Sequence, residues 1–127
     1  MESPQLWKQS IQNLPDKKEI IIEMIAQIKK DFAMFSENIE FTETAQEKYA
    51  NLFGQLEAYL NKHFSKNTER LYPILYRIDI LEKDISFAIN QQGEYNFIAL
   101  ITEQIILKEL QKVLIRRHYK GKADGNS

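Results

Sequence analysis

The sequence predicts an all-α protein, an antiparallel four-helix bundle with a short extra helix at its N-terminus. Three observations carry that expectation. Breakers are scarce, with four glycines and three prolines in 127 residues. Apolar residues recur at helical spacing through the long stretches between breakers. The connections between those stretches are short, as in bundles whose neighbouring helices run in opposite directions.

Taken in order, Ser3 before Pro4 reads as an N-cap with proline at the first helical position, opening a short helix with Leu6, Trp7, Ile11 and Leu14 on one side. Pro15 ends it. Asp16 with Glu19 has capping-box spacing and starts the first long helix, about 16 to 36, on which Ile21, Ile25, Ile28, Phe32 and Phe35 share a face. The polar stretch SENIEFTET is a turn, and Thr44 with Glu47 offers a second capping box for a helix whose stripe is Ala45, Tyr49, Leu52, Leu56, Tyr59 or Leu60, and Phe64. Asn67 and Thr68 are cap-type residues. Pro73 cannot sit in a running helix, so the regular part of the third helix is placed from about Pro73 to Ile89. Asp79 with Glu82 repeats the cap spacing inside it and leaves room for a kink. Gly93 is the expected stop, and the last helix runs from about Asn96 to Tyr119. Residues 1 to 120 then form one domain, followed by a mobile polar tail from 121 to 127.

A chain of this length can bury a sufficient core without a disulfide or a structural metal. It has no cysteine, which excludes thiolate chemistry and fits a reducing compartment, so a cytoplasmic location is expected. An acid at Glu2 and the lack of an apolar run behind a basic head argue against a signal peptide. Glu103 and Lys108 cut the longest apolar stretch, so no membrane span is expected. A formal net charge of -1 argues against general nucleic-acid binding.

The last two helices are apolar on two sides. Leu100, Leu107, Leu110 and Leu114 lie on one side of the last helix, and Ile98, Ile101, Ile105 and Tyr119 on the other. In the third helix, Ile74, Ile78, Leu81 and Ile85 form the core stripe, and Tyr76, Ile80 and Phe87 form a second. Two explanations stand: both helices are central, the Trp7 helix covering part of the second face, or the second faces meet a protein partner. A homodimer through Tyr76, Ile80, Phe87, Ile98, Ile101 and Ile105 is the concrete form of the latter. The expected core is Ile25, Ile28, Phe32, Leu52, Leu56, Ile78, Ile85, Leu107 and Leu110, around a dry, apolar centre.

The last helix closes on Arg116, Arg117, His118, Lys120 and Lys122. Cations at a helix C-terminus are favoured by the dipole, by about 0.3 to 1 kcal/mol each, and need no ligand. The functional alternative is a small phosphate-binding patch made by Arg116, Arg117, His118 and Lys120, with Tyr119 available to stack on a base.

Catalytic motifs are missing. Neither His63 nor His118 has a glutamate three residues before it, so the di-iron bundle pattern is absent. No HExxH, glycine-rich phosphate loop or GxSxG occurs. The one-turn acid pairs Glu19 with Glu23 and Glu43 with Glu47 read as solvated faces. No catalytic residue, metal site or cofactor is expected, and the leading expectation is a non-enzymatic helical bundle acting through protein–protein contacts.

Two resemblances add to this. The segment LNKHFSKN, with Lys66 three residues after His63, resembles the His-x-x-Lys-Gly pattern of the histidine phosphotransfer domains, which are four-helix bundles of similar length. That resemblance implies phosphotransfer at His63. Asn67 replaces the family's glycine, and Ser65 stands where it usually has an apolar residue. The strings LYRIDILEKDI (75 to 85) and ILKELQKVLIRRHY (106 to 119) resemble those of small uncharacterised all-helical proteins of the Bacteroidetes group of bacteria. This second resemblance implies an all-helical bacterial cytosolic protein and no site residue.

Overall fold

The structure is a computed structural model that describes residues 16–90 and 97–125, with side chains to residue 120. The expected N-terminal helix with Trp7 and the stop at Gly93 lie outside the described residues. The protein is all-α: among the described residues there are five α-helices and two 3-10 turns, and no strand. The helices are α1 (Lys18–Ala33), α2 (Tyr49–Phe64), α3 (Tyr72–Arg77), α4 (Glu82–Asn90) and α5 (Phe97–Gly125), with 3-10 turns at Glu43–Gln46 and Thr68–Leu71. The last helix therefore runs past Tyr119, through part of the segment expected to be a mobile tail.

Both expected capping boxes are put to other uses. Asp16 does not cap its own helix; its carboxylate accepts the backbone N–H of Tyr49 at 2.9 Å and so caps the first turn of α2. Thr44 lies in the 3-10 turn before α2, where its hydroxyl accepts from Gln55 Nε2 at 3.1 Å. Gln55 also accepts the Thr42 N–H at 2.9 Å, and Asn51 donates to the Thr44 carbonyl at 3.0 Å. The turn is thus pinned to the flank of α2, and the extended backbone of Lys48 separates the two.

Two helices stop without glycine. At the end of α1, Glu37 N–H donates to the Phe32 carbonyl and Ser36 N–H to that of Ala33. At the end of α3, Ile80 N–H donates to the Leu75 carbonyl and Asp79 N–H to that of Tyr76. Both are the paired bonds that close a helix when the next residue turns left-handed. Ser36 (φ 65°) and Asp79 (φ 74°) occupy that position.

The Asp79 turn divides the expected third helix and resets its phase. Leu81, expected in the core, is 51% exposed, while Ile80, expected on the outer face, is buried. Ile74, Leu75, Ile78 and Ile85 remain inside. Pro73 falls in the first turn of α3, where a missing N–H costs nothing.

Helix α5 is the axis of the core and packs against α1, α2 and α4. Its buried residues include Ile98, Leu100, Ile101, Ile105, Ile106, Leu110 and Val113, so both apolar sides are covered over most of their length within the chain. Leu114 is exposed, and Leu107 is half-buried against the core, as is Ile25 on α1. Ile28, Phe32, Leu52, Leu56, Ile78, Ile85 and Leu110 are buried as expected.

Two substitutions test this backbone account by chemical denaturation. Gly54 lies inside α2, and a Cβ built there meets nothing within 4 Å; Gly54→Ala should raise stability by about 0.5 to 1 kcal/mol. Asp79→Gly should lose nothing, whereas Asp79→Val should cost about 1 to 2 kcal/mol, because a β-branched residue resists the left-handed turn.

Candidate functional site: a buried carboxyl pair between α1 and α5

The centre of the fold is not uniformly apolar. Asp31 on α1 is 1% exposed and Glu109 on α5 is 0% exposed, and Thr102, Glu103 and Gln104 on α5 are buried as well. This corrects the expectation of a dry, apolar centre. Two of these polar groups are answered close by: the Thr102 hydroxyl donates to the Ile98 carbonyl at 2.7 Å, and Gln104 Nε2 donates to the Asp84 carbonyl at 3.3 Å, tying α5 to α4.

Asp31 and Glu109 form the unusual element. Asp31 Oδ1 accepts from Gln27 Nε2 at 3.1 Å and from Arg77 Nε at 3.2 Å, so α3 reaches the pair through its last residue. Lys112 Nζ lies 3.8 Å from Asp31 Oδ2 and 3.4 Å from Glu109 Oε1. Asp31 Oδ2 and both carboxyl oxygens of Glu109 are buried with no donor aimed at them. The Glu109 carboxyl faces that of Asp31 with Lys112 beside both, and a proton between the two carboxyls would answer one oxygen of each.

Burial is the main cause that raises the Glu109 carboxyl above its ordinary range. The hydrogen bond to Asp31 and the negative charge of Asp31 act in the same direction, while Lys112 opposes them, and the result is pushed up to about 8. Lys112 lies beside both carboxyls, whereas Arg77 addresses Asp31 alone, which favours placing the shared proton on Glu109.

Beyond the pair, the polar contacts between α5 and α1 continue in reverse order along the two helices. Arg116 donates to Gln27 at 2.7 Å and Arg117 to Glu23 at 2.8 Å. Arg116, Arg117, His118 and Lys120 are all exposed, but the two arginines are turned toward α1. His118 packs edge-on against Tyr119, with ring centroids 5.7 Å apart. Glu23, read from the sequence as part of a solvated acid pair, is thus the partner of Arg117, and Glu47 pairs with Lys18 at 3.1 Å.

His63 is exposed in the last turn of α2, its ring 4.3 Å from that of Tyr59. Around it, Tyr59 donates to Glu37 at 2.7 Å, Arg70 donates to Glu37 at 3.2 Å, and the Arg70 guanidinium lies 5.1 Å from the centre of the Phe64 ring. Burial, then the bond to Glu37, holds the Tyr59 phenol well above its ordinary range. These contacts fasten the 34–42 connection to the end of α2.

The homodimer candidates separate. Ile80, Ile98, Ile101 and Ile105 are buried within the chain and cannot meet a partner in this conformation; Phe87 is half-buried and Tyr76 is exposed. Among the described residues, no group of three or more His, Asp or Glu side chains is placed to hold a metal ion, and no helix is long and apolar enough to cross a membrane.

The site predicts a coupling measurable in a double-mutant cycle. Arg77→Met should cost about 2 to 4 kcal/mol at neutral pH, because it leaves a buried carboxylate short of a charge-assisted bond. In an Asp31→Asn background the same change should cost less than about 1 kcal/mol. Equal costs in the two backgrounds would mean that Arg77 contributes through packing alone.

Comparison with protein-family models, with curated proteins and with solved structures finds no match for the chain, so the reading of this site stands on its own geometry.

Proposed function

We propose that this chain is a non-enzymatic helical domain that acts through protein–protein contacts, built as an antiparallel four-helix bundle whose third helix is broken at Asp79. A cytoplasmic setting is part of the proposal. The observation that supports it is the outer surface of the last turns of α5. Leu114, Ile115 and Tyr119 stand there 43%, 56% and 66% exposed within two helical turns, and Ile22 on α1, also exposed, adjoins the Glu23 that takes Arg117. Large apolar side chains grouped in this way mark contact surfaces more often than isolated ones do.

The contact face is therefore placed at the C-terminal end of α5 rather than on the isoleucine side that the chain buries itself. The first partner to consider is a second copy, since one self-complementary patch suffices for a two-fold dimer. Nucleic-acid binding at the same end is the weaker reading, because Arg116 and Arg117 already answer groups on α1. Phosphotransfer at His63 gains support only from the exposure of that ring.

Light scattering after size exclusion tests the reading with the native chain and an Ile115→Glu, Tyr119→Ser variant at tens of micromolar. The native chain should run at twice the monomer mass and the variant at the monomer mass. A monomeric native chain would remove self-association, and a dimer unchanged by the substitutions would move the contact face elsewhere.

A further inference from the structure

Three buried or clustered features lie outside the proposed contact face: the Glu37–Tyr59–Arg70 network, the Thr102–Gln104 segment of α5, and the Asp31–Glu109 pair. The first is a static fastener whose polar groups are answered; the second is fastened by Thr102 to Ile98 and by Gln104 Nε2 to Asp84, with Gln104 Oε1 left without a donor, but it holds no pair of carboxyls. The third differs because it buries two carboxyls from separate helices together, and a proton between them supplies a hydrogen bond that no neighbouring side chain offers.

We propose that the Asp31–Glu109 pair is a proton-held latch on the seam between α1 and α5. With one proton between the two carboxyls the seam is closed; when that proton is lost in mildly alkaline solution, the C-terminal half of α5 is released from α1 while α2 stays in place.

Position and charge carry the argument. The groups facing Glu109 are Asp31 from α1 and Lys112 from its own helix; Gln27 from α1 and Arg77 from α3 reach it only through Asp31. A second negative charge in this buried space needs water, and the C-terminal direction along α5 is the more open one. Toward the N-terminal part of α5, residues 98 to 106 are buried almost without interruption. Toward the C-terminal part, Lys112 is partly exposed and every side chain from Leu114 to Lys120 is exposed. Water therefore enters from the end of the seam whose polar contacts, among the described residues, are Gln27–Arg116 and Glu23–Arg117. Such solvent-exposed pairs contribute little, so the apolar contacts beneath them carry most of the closure at this end. Opening there uncovers Ile21, Met24 and Ile28 of α1 and Leu110 and Val113 of α5, a row of apolar side chains otherwise hidden. The raised proton affinity of Glu109, set first by burial, places the transition near the alkaline edge of neutrality.

Amide hydrogen exchange tests the latch in the intact chain. Rates are measured at pH 6.5 and pH 9 and corrected for the base-catalysed intrinsic rate. Amides of residues 23–31 and 109–117 should open at least about tenfold more often at the higher pH, while those of residues 52–60 on α2 stay within about twofold. Glu109→Gln keeps a donor facing Asp31 without a titrating proton and should abolish the difference. A parallel rise in all three segments, or the same rise in Glu109→Gln, would overturn the proposal. Should that variant fail to fold, the carboxyl carbon of Glu109 in the native chain is titrated by NMR. A midpoint near the ordinary glutamate range would overturn the latch, and one near 8 would support it.

Discussion

The constraint on which the structure depends is the enclosure of α5. From Ile98 to Val113 this helix packs against α1, α2 and α4, and residues 100 to 106 are buried without a gap. A helix buried on one stripe can turn its acids outward. One enclosed on most sides cannot, so each polar residue it carries must find an answer inside. Thr102 answers locally, Gln104 answers on α4, and Glu109 answers on α1. The last case requires a carboxylate partner, two flanking cations and a proton, and it makes three helices depend on one cluster.

That dependence accounts for the charge at the C-terminal end of α5. Arg116 and Arg117 lie just over one turn beyond Lys112 and reach Gln27 and Glu23, one and two turns before Asp31, and so continue the alignment of α5 with α1. A sequence reader sees cations near a helix end and assigns them to the dipole or to a phosphate. The structure assigns the arginines to register. Exposed pairs of this kind contribute little to stability, so their role lies in fixing which residues face one another.

Much of the fold was legible in the sequence, because long amphipathic stretches announce themselves by periodicity. Helices α1 and α2 appear within a few residues of their expected positions, with Ile28, Phe32, Leu52 and Leu56 inside. The stops were harder to read. Ser36 and Asp79 take the left-handed position that glycine usually fills, and no local pattern distinguishes them from other serines and aspartates. The Asp79 and Glu82 spacing left room for a kink, but one phase was still carried through residues 73–89, which exchanged Leu81 for Ile80. The expected dimer face failed for a related reason: periodicity shows that α5 has two apolar sides but not which side the rest of the chain covers. The site itself left a signal that went unused. Asp31 lies three residues after Ile28 and next to Phe32, and Glu109 four after Ile105 and four before Val113, so each is an acid at a core position. Pairing acids only with their neighbours in sequence hides a pair that lies on separate helices.

The central claim is that Glu109 is buried with its proton, and the pH dependence of the unfolding free energy tests it most directly. A group whose folded value is raised from 4.5 to about 8 contributes stability that is fully present below 4.5, declines as the pH rises through about 8, and is level above. Calorimetry or denaturant titration between pH 5 and pH 9 should show the native chain losing on the order of a few kcal/mol relative to Glu109→Gln. Parallel curves for the two chains would show that Glu109 carries no proton of this kind and would contradict the account.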